Sequence, residues 1–319
     1  MKQRSLIVLL ACLAATASAE APQPSTFSIV AADPEAGELG VAVASRFFAV
    51  GSVVPWAKAG VGAVATQSNA NTTFGPRGLE LMERGTSARE TLDVLLRSDD
   101  GRDGRQVGLV GADGGSATHT GPRCTAWAGG RSGPGYAVQG NILTGEAVVI
   151  AMERRFLETR GQALAQRLLE ALSAGDAAGG DSRGRQSASI LVVRDRGGYN
   201  GFTDRAVDLR VDDHADPFGE IARLTRLALV NDAWNRGWTA FTEKRFPDAL
   251  KWQRRTAELA EAAPSMLPEV LYDLAVIQLA NGSPEPALAT AKRAIALNPK
   301  LRAQALKDDD LAPLRRQLE

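Results

Sequence analysis

The pattern of the sequence changes once, near Pro217, and this change limits what the chain can fold into. Before it, short apolar segments of strand length are separated by Gly, Pro and Asp, which is typical of β-rich structure. After it, apolar and small residues recur at helical spacing. A chain of 319 residues is long enough for two domains. We therefore predict an α+β domain over residues 26–216 and an all-α domain over residues 217–319.

Strands and helices do not alternate regularly within the first of these domains. Strands are predicted at 26–32, 39–45, 52–56 and 60–67, then at 107–110, 117–120, 124–128 and 136–139, and last at 189–193 and 206–211. Amphipathic helices are predicted within 75–96, with Thr86 and Ser87 placed to cap the second one, and at 145–157 and 161–174. This order does not fit a parallel βαβ sheet. It favours a sandwich of two sheets with helices outside.

The second domain repeats a helix–turn–helix unit. Gly237 and Ala249 mark the helix crossing of the first unit, and Ala287 marks that of the second. The interval from Ala249 to Ala287 equals one tetratricopeptide period of about 34 residues plus a short insertion. A plain bundle of four or five helices is the alternative. Because a solenoid needs about three repeats, we expect the tail to use helices at both of its ends or to dock on the first domain.

The first residues predict export. Lys2 and Arg4 precede an apolar run over 6–15, and Ala17, Ser18 and Ala19 form a small-residue cleavage site. We predict a signal peptide over 1–19, cleaved after Ala19, and a periplasmic or secreted protein. A lipoprotein anchored at Cys12 is the alternative, whereas the apolar run is too short for an integral membrane helix.

Composition excludes several functional classes. Lys plus Arg and Asp plus Glu both total 37, so we expect no nucleic-acid partner. The chain has two cysteines and two histidines, His119 and His214, which is too few for the usual zinc sites. We predict neither a metal nor any other cofactor. Exposed strand edges make a homo-oligomer an open alternative to a monomer.

The scarcity of histidine also argues against Ser-His-Asp and Cys-His nucleophile sites. One class of hydrolase needs no histidine, because a Thr, Ser or Cys at the first position of the chain uses its own α-amine as the base. The pKa of that amine, near 8, suits a base at neutral pH.

Several segments resemble a known family. They are TFSIVA from Thr26, GVAVASRFFAVG from Gly40, VPWAKAGVGAVATQ from Val54, GPRGL from Gly75, QGNIL from Gln139 and GDSRGRQSA from Gly180. Together they resemble domain of unknown function 1028, a bacterial and archaeal family assigned to the N-terminal-nucleophile (Ntn) hydrolase superfamily. The resemblance covers residue 26 to about residue 217. It implies a four-layer αββα sandwich and leaves the substrate open.

The resemblance also suggests site residues. In the superfamily an N-terminal Thr is assisted by a lysine, which implies Thr26 as nucleophile and Lys58 as its helper, although Lys58 also fits a solvated cation at a hairpin end. Arg46 suits a substrate carboxylate. Asn69, Asn71 and Asn141 are either oxyanion donors or turn residues. Further polar side chains for the rim of the site, all in one Gly-rich loop, are Asp181, Arg183, Arg185 and Gln186.

Two functional hypotheses follow. The first is an exported Ntn-type amidohydrolase acting on a small amide or peptide-like substrate, with the tail binding a partner protein. It requires a second cut, because signal cleavage leaves the leader 20–25 ahead of Thr26. The second is a non-catalytic envelope binding or scaffold protein whose tetratricopeptide-like tail carries the function.

Overall fold

The computed structural model describes residues 26–319, which form an α+β structure with two antiparallel sheets and a C-terminal helical region. The α+β class is thus confirmed. The strands are β1 Thr26–Asp33, β2 Glu38–Ser45, β3 Pro55–Lys58, β4 Gly62–Ser68, β5 Arg105–Gly111, β6 Ser116–Thr120, β7 Gly129–Gly133, β8 Tyr136–Asn141, β9 Ser187–Arg194 and β10 Arg205–Val211. The first four helices are α1 Phe74–Glu83, α2 Ala88–Arg97, α3 Ala147–Glu158 and α4 Leu164–Ala177.

The two sheets lie face to face with helices on their outer sides. One sheet has the strand order β10-β9-β2-β1-β8-β7 and the other β3-β4-β5-β6. Along β1, alternate side chains serve different layers. Phe27, Ile29 and Ala31 pack against α3 and α4, whereas Val30 and Ala32 pack between the sheets. Helices α1 and α2 cover the outer face of the four-stranded sheet.

Most predicted strands of this region are confirmed, but the one at 124–128 is wrong. The strand next to β8 is instead β7, whose sequence is GGRSG. Thr and Trp have a high strand propensity, so the sequence pattern favoured residues 124–128. In the structure the glycine-rich segment that follows them pairs with β8 instead. Gly130 is needed there because a Cβ atom would lie 2.8 Å from Thr118 Oγ1 of β6. The predicted cap of α2 is confirmed, since Ser87 forms a capping box with Glu90.

The tail begins with one long helix that it shares with the sandwich. Helix α5 spans Pro217–Thr242 and is followed by α6 Phe246–Ala260, α7 Leu267–Ala280, α8 Pro284–Leu297, α9 Leu301–Ala305 and α10 Arg315–Leu318. Ile221 near the start of α5 is buried in the core of the six-stranded sheet, whereas Val230 belongs to the tail core. The expected dependence of the tail on the first domain therefore takes the form of a continuous helix.

The predicted signal peptide 1–19, the leader 20–25 and Cys12 lie outside the described residues. Over residues 26–319, no helix combines the length and the apolar character that crossing a membrane requires.

Candidate functional site

Four polar residues form a row across the six-stranded sheet, on the face that is covered by the other sheet. Ser187 of β9 pairs with Ser45 of β2, Ser45 pairs with Thr26 of β1, and Thr26 pairs with Asn141 of β8. We call these four residues the polar row. All of them are buried, and the Thr26 side chain is completely so. The hydroxyl oxygens of Thr26 and Ser45 are 3.2 Å apart, within hydrogen-bond distance.

A cluster of buried amides lies next to the polar row, and we call it the amide cluster. It consists of Gln67 of β4, Gln106 of β5 and Gln139 of β8. Gln67 Nε2 donates to the backbone oxygen of Thr26 at 3.2 Å and to Gln106 Oε1 at 2.8 Å. Asn141 Nδ2 also donates to Gln106 Oε1, at 2.9 Å. The amide cluster therefore ties the start of β1 to the opposite sheet.

Ser28 and a glycine complete this network. The Ser28 hydroxyl donates to Gln67 Oε1 at 2.6 Å and accepts from Gln139 Nε2 at 2.7 Å. A Cβ atom at Gly108 of β5 would lie 2.2 Å from Gln139 Oε1, so only glycine leaves room for that amide. Buried amides that are hydrogen-bonded in this way fix a single local geometry.

Two strands end beside the polar row in unusual backbone conformations. Ser68, which follows Gln67, has φ 65°, and Ile142, which follows Asn141, has φ 53°. Positive φ is a genuine outlier for a β-branched residue such as Ile. The backbone of Ile142 is held by hydrogen bonds to Thr125 and Ser182. Strained residues that the surroundings hold in place concentrate at functional sites.

Three of the predicted rim residues meet at the same end of the sandwich. The carboxylate of Asp181, which is buried, accepts from the backbone N–H of Arg46 at 2.7 Å and from the guanidinium of Arg183 at 3.2 and 3.3 Å. Arg46 directly follows Ser45 of the polar row, is exposed, and donates to the backbone oxygen of Arg185 at 3.0 Å. Asp181 thus fixes the position of a cation close to Thr26.

Asn69 and Asn71 lie on the loop after β4, just beyond Ser68. Asn69 is exposed, and its backbone oxygen accepts from Arg105. Asn71 donates to Asp99 at 3.2 Å and accepts from Thr73. The hydrogen bond from Arg105 lowers the pKa of Asp99 to about 2, so this carboxylate is charged at neutral pH. Both asparagines therefore belong to a structural loop at the end of the sandwich that holds Thr26.

Lys58 is not brought to Thr26. It pairs with Gly62 at the opposite end of β4 from Gln67, which corresponds to about 17 Å along the strand. Its ammonium group forms an exposed ion pair with Glu83 of α1 at 2.5 Å. The solvated-cation interpretation of Lys58 agrees with this position.

The sequence patterns did not indicate Ser45, Ser187 or the amide cluster as site residues. The available signal was Gln in strands whose other residues are Val, Ala and Gly, as in VATQ and RQVGLVG. A buried Gln must find hydrogen-bond partners, so such positions indicate an internal polar network. Among the described residues, no group of three or more His, Cys, Asp or Glu is placed to hold a metal ion.

Comparison with known protein families gives a match for the first part of the chain, and this match ends inside α5. The family model of DUF1028, described as a family of unknown function, matches residues 26–221. This chain belongs to the DUF1028 family. A solved DUF1028 structure, protein SPO2555 from Silicibacter pomeroyi, is 29% identical with a TM-score of 0.58, and the similarity covers 64% of this chain and 89% of that one. A search of curated proteins gives no match.

The DUF1028 segment contains the polar row, the amide cluster and the rim residues. It begins at Thr26 and ends at Ile221, inside α5. The remainder of α5 and helices α6 to α10 lie beyond the family match.

Proposed function

We propose that this protein is an exported Ntn-type amidohydrolase in which Thr26, once it is the first residue, attacks the carbonyl carbon of a small amide or peptide-like substrate. The observation that carries the proposal is the position of Thr26. It lies at the start of the central strand β1, with Ser45 and Asn141 beside it in register. The fold we propose for the DUF1028 part is accordingly the four-layer αββα sandwich of the Ntn hydrolases.

The proposed chemistry needs only groups that Thr26 would itself supply. The hydroxyl oxygen of Thr26 forms a bond to the carbonyl carbon, and its proton passes to the α-amine. The C–N bond then breaks, and the amine transfers the proton to the leaving nitrogen. Water then attacks the carbonyl carbon of the resulting ester and passes a proton to the amine. The ester C–O bond breaks, and the amine returns the proton to Thr26 Oγ. Ser45 is placed to orient the hydroxyl, since their oxygens are 3.2 Å apart.

Substrate would be held by groups at the same end of the sandwich. The Asn141 amide lies opposite Thr26 on β8 and is our candidate donor to the oxyanion. The side chain of Arg46 is exposed, and so is the ring of Phe48, two positions later in the sequence. We propose that Arg46 binds a substrate carboxylate, with Asp181 and Arg183 forming the rim. Lys58 has no part in this mechanism, and Asn69 and Asn71 shape the loop.

The proposed mechanism requires a change at Thr26, whose side chain is completely buried. A buried hydroxyl cannot reach a substrate, and an α-amine linked to residue 25 is not a base. We propose that export removes residues 1–19 and that a second cut removes the leader 20–25. The second cut would then create the base, because the α-amine of Thr26 would be free.

We propose that the tail is a pair of tetratricopeptide-like units that binds a partner protein. Gly237 and Ala240 of α5, Ala249 of α6 and Ala287 of α8 are buried small residues on paired helices. A Cβ atom at Gly237 would lie 2.9 Å from Gln253 Oε1, so α5 and α6 approach closely there. Small residues at helix crossings are the feature on which this repeat depends.

A β-lactone probe tests the proposal without knowledge of the substrate. Thr26 Oγ would bond to the lactone carbonyl carbon, the ring C–O bond would break, and the proton would end on the ring oxygen. The protein would therefore gain the full mass of the probe. We expect this adduct on a chain that begins at Thr26 and not on residues 20–319, by intact mass and peptide mapping.

Matched variants locate the reaction. Thr26→Ala should give no adduct, and Thr26→Ser should retain part of the labelling because a hydroxyl remains. Thr72→Ala, at an exposed threonine, should label like the unmodified chain. Labelling of Thr26→Ala at the unmodified rate would refute the assignment.

The complete burial of Thr26 also favours the second candidate, a non-catalytic envelope binding protein in which the sandwich is a scaffold. This alternative predicts that a chain beginning at Thr26 gains no adduct. It also predicts that partner binding by the tail is unchanged by Thr26→Ala.

A further inference from the structure

A group of four charged side chains, of which Glu38 is buried and the others are partly buried, joins the sandwich to α5. Arg194 of β9 donates to Glu38 of β2 and to Asp232 of α5, both at 2.7 Å. Arg236 of α5 donates to the same two carboxylates, at 2.8 and 2.9 Å. We call these residues the charge quartet. Its two positive and two negative charges balance.

The two sides of the charge quartet differ in the groups they present. A cavity of about 170 Å³ on one side is lined by Arg194, Arg196, Arg236 and Arg245. The lining also includes Asn235, Thr239 and Trp252, and the described residues contribute no carboxylate to it. Glu38 and Asp232 instead line the larger cavity on the other side. The small cavity is therefore lined by four arginines and by uncharged residues.

Donor groups of Arg194, Arg196 and Arg236 remain for a ligand, whereas Arg245 directs all three of its nitrogens at Glu243 and Asp248. A guanidinium carries five N–H groups, and Arg194 and Arg236 each direct two nitrogens at the carboxylates of the charge quartet. Arg196 approaches Glu243 only to 3.6 Å, which is longer than a hydrogen bond, and its side chain is 62% exposed. Arg196 can therefore turn towards a bound group without breaking a strong ion pair.

The size and chemistry of the cavity select a small oxyanion. Its volume of about 170 Å³ is large enough for a tetrahedral or carboxylate group with some hydration. Guanidinium forks match the oxygens of phosphate and carboxylate. The residues come from β9 and the loop after it, from α5, and from the turn and helix that follow α5. Clefts between two parts of a chain are a common place for ligands.

We propose that this cavity binds a small oxyanion, a phosphate or carboxylate group, which bridges the sandwich and the first helix pair of the tail. The site is separate from the polar row and does not depend on the proposed hydrolase activity. A bound anion would contact both parts of the chain. It would therefore stabilise their folded arrangement by an amount that rises with the logarithm of the anion concentration once this exceeds the Kd.

The test is thermal unfolding of the chain in inorganic phosphate, in succinate and in chloride at equal ionic strength. We expect phosphate or succinate to raise the melting temperature above that in chloride, and isothermal titration calorimetry to give a single site. A response to phosphate identifies a tetrahedral oxyanion, and a response to succinate alone identifies a carboxylate. Equal melting temperatures in all three salts would overturn the proposal.

Variants separate this site from general salt effects. Arg196→Gln should weaken anion binding about tenfold, the effect of losing one charged hydrogen bond. Arg245→Gln provides a second variant of the same cavity. Arg255→Gln is the matched control, because Arg255 is an exposed arginine of α6 paired with Glu258 and lies outside the cavity. Equal anion binding by all three variants and the unmodified chain would also overturn the proposal.

Discussion

At the scale of single residues, the layer between the two sheets has a polar end and an apolar end. Next to Thr26 this layer contains Ser28, Gln67 and Gln139, whereas further along the same strands it contains Val30, Ala63 and Ala65. Buried hydroxyls and amides cost free energy unless they are hydrogen-bonded, and an apolar layer would be simpler to stabilise. The amide cluster meets this cost with hydrogen bonds on both sheets. It therefore marks the end of the sandwich where a functional site is expected.

A second unusual residue is Asp273 in the tail. Burial raises its pKa to about 6, although Trp234 and Trp238 both donate to its carboxylate, at 2.7 and 2.8 Å. A raised pKa means that the folded protein prefers the protonated form. The resulting stability is complete below the ordinary pKa of 3.8 and is lost as the pH rises through about 6.

We predict that Asp273→Asn removes this pH dependence. Because a shift of one pKa unit corresponds to about 1.4 kcal/mol, the unmodified tail should lose up to about 3 kcal/mol between pH 4 and pH 7. Asparagine keeps an oxygen that can accept from the two indoles and carries no charge. Urea unfolding of both proteins across this range measures the difference. Parallel pH profiles for the two would contradict the prediction.

At the scale of elements, the sequence predicted most strands because period-two patterns and turn residues are local signals. It failed at β7, where glycines are required by contact with β6 and β8 and no local signal marks a strand. The polar row could not be predicted either, because its members come from four segments that only the strand register aligns. For the same reason the position of Lys58 relative to Thr26 could not be obtained from spacing alone.

The helix crossings of the tail provide a prediction at this scale. Ala287 of α8 is completely buried in the tail core, so Ala287→Trp should cost on the order of 1–3 kcal/mol or more by overpacking. Ala289→Trp, on an exposed position of the same helix, is the control and should change stability little. Chemical denaturation of the two variants gives both values. Equal stabilities would argue against close packing of α7 and α8.

At the scale of the whole molecule, α5 is a continuous helix that packs in the cores of both the sandwich and the tail. Its first turns pack in the core of the six-stranded sheet, and its later turns pack in the core of the tail. The DUF1028 match ends within this helix, so a boundary drawn there would divide a single element. The charge quartet holds the middle of α5 to β2 and β9.

We predict that the charge quartet is needed for this connection. Arg194→Met would leave Glu38 and Asp232 with one cation in a largely buried position, at a cost of about 3 kcal/mol or more. Arg205→Met removes an exposed arginine that pairs with Asp208 and should cost less than about 1 kcal/mol. Guanidinium unfolding curves compare the two variants. Similar losses in both would show that the charge quartet contributes no more than a surface ion pair.

The central claim is that Thr26 becomes the first residue of the active protein, because only then does one residue provide both the hydroxyl nucleophile and the amine base. The most direct measurement is the N-terminal sequence, with the intact mass, of the mature protein isolated from its own compartment. We predict a mature chain that begins at Thr26. A mature chain that begins at Glu20, with the leader 20–25 still attached, would contradict it.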